Sequence, residues 1–468
     1  MTEKQNLNPF VKSSLIYIIA TIIGQGMTFV SIIVFTRLMP KGDYGDYSTY
    51  YAYVSILIVF IGANLYVSLN NAYIDKKDTI HQFRKSVLTL SLFTMLSMSF
   101  LAWVVLCLIV KKFSAFIILF AALHSYAFFV VNYRTYSANM ENDYKKKQWL
   151  LILPNTMQFI GALVLVLLMR DSTYEARIMG STIGLLCVAV VCFVEIMKSR
   201  GRLINFADWK YALTISLPST VMSISFMIMQ QCDKVMITEI CGSEDTAVYS
   251  VIYYLGYAII AVDQAVAPVR QAWIYKRLNG GDYNEARKLQ KWYLVLMALM
   301  ATGLLAFGEL AIRLIAPKSY WHFEYILPFV LGACMMMVYR FHTEVIMFYK
   351  KNAVLSFCVV VAAAINVALN AVLIPRYGAV AACYTTVLSY FVLFLLTMFV
   401  SDRLKKGVYS KLQFAGFLLW MCALAVTFLI REGIVQNAIL MAAILVIVVY
   451  TIKRKMEWME LLWEKRKG

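Results

Sequence analysis

No stretch of this chain is polar enough to form a water-soluble domain. Charged residues are scarce, 15% of 468 positions, while 61% are hydrophobic. An average soluble domain is about 25% charged. Mean hydropathy is +0.70. A soluble protein of this length has too little interior to hide so much apolar surface, so the bilayer must act as solvent for most of it. Backbone groups find no water in lipid, which leaves only helices or a closed barrel as spanning structures. The apolar runs here are continuous over about 20 residues rather than alternating over about 10, so they read as helices.

Other absences narrow the chemistry. The nine cysteines are an odd number, lie almost all inside apolar runs and include no CxxC pair. No His-rich spacing accompanies them, which argues against a disulfide framework or a metal site. No P-loop or GxGxxG is present, so neither motif binds a nucleotide. No cofactor is expected. Energy for any transport would come from an ion gradient (H+ or Na+) or from the substrate's own gradient. No large external loop is expected, which argues against a membrane glycan polymerase or ligase despite the Asp43 and Asp46 pair in DYGD. No cleaved signal peptide is expected either. Met1–Lys12 is polar, and the run after it ends at Thr36-Arg37 without a small-residue cleavage site.

What is present is an ordered series of apolar runs. Fourteen spans are predicted, at about 13–36, 47–73, 86–110, 113–133, 149–169, 177–198, 212–241, 247–271, 291–313, 324–348, 353–374, 379–400, 412–430 and 435–452. In a soluble protein the net charge of +18 would suggest nucleic acid. Here the basic residues sit between runs. With the N-terminus placed in the cytoplasm, 32 of the 44 Lys and Arg fall in cytoplasmic segments and 10 in external ones. That asymmetry is the positive-inside pattern, and it puts both termini inside.

The chain also repeats itself. Thr36–Tyr51, TRLMPKGDYGDYSTYY, aligns without gaps on Thr238–Tyr253, TEICGSEDTAVYSVIY. Thr36/Thr238, Asp43/Asp245, Tyr47/Tyr249, Ser48/Ser250 and Tyr51/Tyr253 match. Six spans separate the two, so both halves have the same orientation. Parallel repeats about an axis along the membrane normal are one plan of transporters, with the substrate site between the halves.

Ionisable groups inside spans cost about 2.5–3.5 kcal/mol each on insertion scales, and they usually face the bundle interior or water. Asp233 and Lys234 in span seven either line a cavity for an ion or substrate, or pair with neighbouring helices. Asp263 in span eight reads as a buried carboxylate suited to proton coupling or as half of a salt bridge. Arg340 and Glu344 in span ten are four apart and can pair along one helix. The arginine could then attract a pyrophosphate head group. His124 in span four is a hydrogen-bonded structural residue or a site residue. Asn64, Asn366 and Asn370 read as packing glue. Arg270 and the basic loop after it set topology, or attract anionic lipid or a lipid-linked phosphate.

Three segments carry a resemblance to a known family. TRLMPKGDYGDY, Thr36–Tyr47, resembles the first outside turn of polysaccharide flippases. Gln231–Tyr253 is similar to their seventh–eighth span junction. Phe348–Tyr390 matches best, with its two asparagines, LIPRYG and a small-residue run. The family is the O-antigen and capsular polysaccharide transporters of the multidrug/oligosaccharidyl-lipid/polysaccharide (MOP) exporter superfamily. The resemblance implies an all-α MATE-like integral membrane protein with two six-helix lobes, residues 1–198 and 199–400. An extra helix pair and basic tail follow at 401–468. It implies that the protein is no enzyme but a flippase in a bacterial cytoplasmic membrane. The substrate it implies is an undecaprenyl-pyrophosphate-linked oligosaccharide, with membrane lipids and other polysaccharide assembly proteins as expected partners. A multidrug or cation antiporter of the same superfamily is the alternative. For Arg340, Asp233 and Asp263 the family lends weak support.

Overall fold

The computed structural model describes residues 24, 26–104, 114–141, 143–281, 283–429 and 433–453. Half of the first expected span and the basic C-terminal tail beyond Lys453 lie outside the described residues. The described residues form helices joined by short turns, and none forms a strand. They are α1 (Gly26–Leu38), α2 (Lys41–Gly62), α3 (Ser68–Asp75), α4 (Ile80–Trp103), α5 (Ala115–Met140), α6 (Tyr144–Leu168), α7 (Thr173–Met197) and α8 (Phe206–Ile240). Then come α9 (Ser243–Gly280), α10 (Tyr283–Ile315), α11 (Ile326–Phe348), α12 (Asn352–Tyr377), α13 (Val380–Leu404), α14 (Lys411–Leu429) and α15 (Gly433–Lys453). The all-α membrane architecture expected from the apolar runs is therefore the one observed.

Among the described residues, eleven helices are long and apolar enough to cross a membrane, or twelve if the bent pair α2/α3 is one span. Two shorter apolar helices, Gly26–Leu38 and Ile439–Thr451, stand where the first and fourteenth spans were expected. The second expected span is broken. α2 and the segment Leu65–Asp75 meet at 54°. Ala63 and Asn64 carry the break, with φ of 41° and 48°. Such angles are uncommon outside glycine, and asparagine tolerates them best.

Two of the connections between expected spans, 134–148 and 272–290, are largely helical instead. α5 runs to Met140 and α6 starts at Tyr144; α9 runs to Gly280 and α10 starts at Tyr283. At 38 residues α9 is about 57 Å long, well beyond the roughly 30 Å hydrocarbon core. Its polar end keeps helix-forming residues, and the helix carries on past Pro268 until Gly281 (φ 70°) turns the chain. The LIPRYG motif ends a helix in the same way. Pro375 removes a backbone donor in the last turn of α12, and Gly378 (φ 73°) turns the chain into α13.

By Cα proximity the chain divides into two compact units, Met1–Ala247 and Val248–Gly468. In the first, α2, α5 and α7 pack together around a core that includes Leu65, Leu69, Phe83, Leu88, Phe129 and Tyr133. α6 and α7 approach through glycine: a Cβ on Gly180 would lie 2.2 Å from the Gly161 carbonyl oxygen. In the second unit α11 is central, packed against α10, α13 and α14. Of its most apolar eighteen-residue stretch 83% is buried, so any charge it carries needs a protein partner.

Candidate functional site

Four of the residues singled out from the sequence meet in the second unit. Asp263 and Arg270 stand two turns apart on α9, which puts them on one face. They meet Arg340 and Glu344 of α11. Arg270 donates from Nη1 to Asp263 Oδ1 at 2.6 Å and from Nε to Glu344 Oε1 at 2.9 Å. Its Nη2 lies 2.9 Å from the same Glu344 oxygen. Arg340 donates from Nη1 to Asp263 Oδ2 at 2.5 Å. Tyr293 of α10 donates its hydroxyl to Asp263 Oδ1, and its ring lies 4.6 Å below the Arg270 guanidinium. Two cations and two anions thus form one neutral, buried network. Arg340 is its most accessible member, with a side chain 19% exposed.

This geometry corrects two expectations and favours one alternative of a third. Arg340 and Glu344 do not pair along α11; each pairs with α9, because α9 presents the opposite charges at the matching heights. For Asp263 the salt-bridge alternative is the one observed, since both its oxygens accept donors. Arg270 lies in a helix, 4% exposed, rather than in a topogenic loop. Tyr293 was missed. A tyrosine in an apolar run carries no signal of its own, and only the packing of α10 against α11 brings it to Asp263.

Beside the network lies a second group of polar atoms. Glu344 Oε2 is buried and, among the described residues, receives no hydrogen bond. His342, 2% exposed, has no partner among them at either ring nitrogen. It sits among Phe394, Tyr409 and Phe414, at ring-centroid distances of 5.6, 5.7 and 5.2 Å. The Tyr409 hydroxyl, on the turn between α13 and α14, is likewise buried without a described partner. Burial pushes its phenol well above the ordinary range, so it stays a neutral O–H. That turn is pinned: Arg287 donates to the Gly407 carbonyl, and Gln290 exchanges hydrogen bonds with Ser410 at 3.0 and 2.7 Å.

The remaining candidates belong to the first unit. His124 is fully buried; Nδ1 lies 3.3 Å from the Tyr50 hydroxyl and Nε2 3.2 Å from Gln158 Oε1. It stacks on Phe128 at 5.2 Å. Both ring nitrogens thus have partners inside the first unit. Asp233 and Lys234 are adjacent on α8 and buried, 1% and 3% exposed. Asn64 also bridges helices, as expected: Nδ2 donates to Ser223 Oγ at 2.7 Å and to the Ser219 carbonyl at 3.2 Å on α8. In the second unit Asn366 donates to Thr386 at 3.4 Å and Asn370 accepts from Thr385, tying α12 to α13.

The two repeat segments adopt the same local structure. α1 ends at Leu38 and α8 at Ile240; α2 starts at Lys41 and α9 at Ser243, so both boundaries keep the register of the sequence alignment. Their turns also meet. Thr49 and Thr238 hydroxyls are 2.5 Å apart, Ser243 donates to Asp46, and Lys41 lies 3.6 Å from Glu244. A Cβ on Gly45 would fall 1.7 Å from the Ser243 carbonyl oxygen, so only glycine permits this approach. Close by is a cavity of ≈ 390 Å³. Asp46, Glu239, Tyr50, Tyr53 and Tyr174 line it together with mainly apolar residues of α2, α4 and α5.

Fold and buried charge together define a polytopic membrane protein with charged groups held inside its helical bundle. Residues 10–274 match the family model described as "Polysaccharide biosynthesis protein". The chain belongs to that family, as the motifs at Thr36–Tyr47 and Gln231–Tyr253 suggested. The match does not reach Phe348–Tyr390. No curated protein matches the chain significantly in sequence. Among solved structures, "Lipid II flippase MurJ, inward closed conformation" shares the fold at TM-score 0.72 and 14% identity, covering 94% of this chain and 99% of that one. An inward-facing multidrug resistance MATE family transporter of the MOP superfamily aligns at TM-score 0.60 and 16% identity, over 83% and 95%. A mutant of the Vibrio cholerae MATE transporter VcmN aligns at TM-score 0.60 and 9% identity, over 86% and 97%.

Proposed function

We propose that this protein moves an undecaprenyl-pyrophosphate-linked oligosaccharide from the cytoplasmic to the outer leaflet of a bacterial cytoplasmic membrane. The glycan is destined for a surface polysaccharide such as O-antigen or capsule. The observation that carries the reading is a coincidence: membership of the polysaccharide biosynthesis family in a chain whose fold is that of membrane flippases and exporters. The basic residues between spans support cytoplasmic termini. Movement is by alternating access with ion coupling, and the protein itself performs no bond-making step. Arg340, the accessible cation of the buried network, is the group best placed to meet a diphosphate.

Proteoliposomes test this. Reconstituted protein should make a fluorescent polyprenyl-diphosphate sugar in the inner leaflet accessible to an external quencher. A deletion strain should accumulate lipid-linked oligosaccharide on the cytoplasmic face. Translocation no faster than in protein-free liposomes, with normal surface glycan in the deletion strain, would overturn the reading. A second reading, export of organic cations, is favoured by the Asp46, Glu239 and tyrosine lining of the first unit's cavity. Cation efflux from the same proteoliposomes would select it.

A further inference from the structure

The buried network of the second unit has one carboxylate oxygen to spare. Asp263 has none: Arg270 and Tyr293 occupy Oδ1, and Arg340 occupies Oδ2. A proton on Asp263 would have to displace a charged donor. Glu344 differs. Arg270 engages only its Oε1, while Oε2 is buried and takes no hydrogen bond from the described residues. A carboxylate with one oxygen satisfied and the other bare gains most from a proton, because the proton turns an unsolvated anion into a neutral group. We propose that Glu344 is a proton-binding site, filled and emptied through Tyr409.

Two observations support the route. Tyr409 presents a buried hydroxyl that no described residue engages, and the charges of Glu344 and Arg270 act on it. It stands on the connection between α13 and α14, outside the apolar spans. His342, two residues from Glu344 on α11, points to the other face of that helix and packs among Phe394, Tyr409 and Phe414. Phenylalanine in that wall offers a proton no stopping place, so Tyr409 is the station. The other charged or titratable groups facing Glu344 are Asp263, Arg270 and Tyr275 on α9 and Arg340 on α11, with Tyr293 of α10 behind Asp263.

The step is balanced. One proton bonds to Glu344 Oε2, Oε1 keeps accepting from Arg270, and no other bond changes. The network passes from net charge zero to plus one. A neutral network has no long-range pull on an anion, whereas a singly positive one does. If the transport reading above holds, proton uptake at Glu344 primes Arg340 for a diphosphate, and proton release lets it go. The proton site itself does not depend on that reading.

The test is a titration of the purified full-length protein in lipid nanodiscs, followed by the infrared C=O stretch of protonated carboxyls. The wild type should show a buried carboxyl band that titrates. Glu344→Gln, which preserves an acceptor for Arg270, should lose that band, and Asp263→Asn should keep it. Glu344→Asp should shift the band rather than remove it, which covers the case where the Gln variant fails to fold. Tyr409→Phe should leave the midpoint in place and slow the band's response to a pH jump severalfold. A band that persists in Glu344→Gln, is unmoved in Glu344→Asp or disappears in Asp263→Asn overturns the proposal. Any of these would leave the flippase reading to its own assay.

Discussion

Arg270 is the keystone of the buried network, and its removal should reveal how that network is balanced. Among the described residues it supplies every hydrogen bond that Glu344 receives and one of the three that Asp263 receives. Arg270→Met leaves Glu344 buried and without any donor. Breaking a buried ion pair from one side costs about 3–5 kcal/mol, and we expect that loss here. Glu344→Met should cost a similar amount, since it strands half of the Arg270 guanidinium. The double variant Arg270→Met/Glu344→Met should behave differently. It removes one charge of each sign and leaves Arg340 paired with Asp263, still neutral. Apolar replacement of a whole buried pair is often close to neutral, so the double variant should fall within about 1–2 kcal/mol of wild type. The two changes are therefore strongly non-additive, with a coupling of about 3 kcal/mol or more. Reversible unfolding in bicelles, with each single and the double variant compared, measures this. A double variant as unstable as the two singles summed would refute the pairing on which the site is built.

Three further outcomes follow from the same geometry. Gly180→Ala should push α6 from α7, because the new Cβ would sit 2.2 Å from a backbone oxygen that cannot move aside; overpacking of this kind costs about 1–3 kcal/mol, read as a lower melting temperature. Glu141, just beyond the end of α5, accepts from Arg134 at 3.1 Å and from Arg84. Burial alone would raise its pKa, but the two guanidiniums outweigh burial and hold it below the usual carboxylate range. A depressed folded pKa contributes stability above the unfolded value of about 4.3 and loses it as pH falls through the folded value. Glu141→Gln should therefore lower stability by about 1–3 kcal/mol at pH 7, and melting curves of variant and wild type should converge on acidification below about pH 4. Asn64→Gly keeps the left-handed backbone but drops the bonds to Ser219 and Ser223, whereas Asn64→Leu drops both. The leucine variant should melt lower than the glycine variant, and equal melting would mean that the backbone angle is immaterial.

The helices were legible because a run of about 20 apolar residues has few other readings. Their true ends were not. α9 continues nine residues past the expected end of its span at 271, and nothing in its periodicity marks that point. The break at Ala63 and Asn64 was hidden as well. Gly62 precedes it, but the turn is held by Ser219 and Ser223, more than 150 positions away. The charged site was half legible. Asp263, Arg340 and Glu344 stood out as ions in apolar runs and Arg270 as a cation at the edge of one, so all four ions were suspected and only Tyr293 was not. Their pairing needed the structure. Spacing along α11 allowed an Arg340–Glu344 pair, yet partner choice depends on how α9 and α11 are rotated about their own axes. One sequence carries no such angle.

The same pairing explains where the charge of +18 resides. Asp233 and Lys234 carry one charge of each sign on α8. The four ions of the second unit's network likewise cancel. These buried charges thus contribute nothing net, and the excess lies in the segments between spans and in the tail. Topology and site chemistry therefore draw on separate sets of residues. Adding a lysine to a connection should bear on orientation alone, while any single change of sign within the network leaves a buried ion unmatched. This is why a proton, the smallest reversible charge, is the natural switch for a site so balanced.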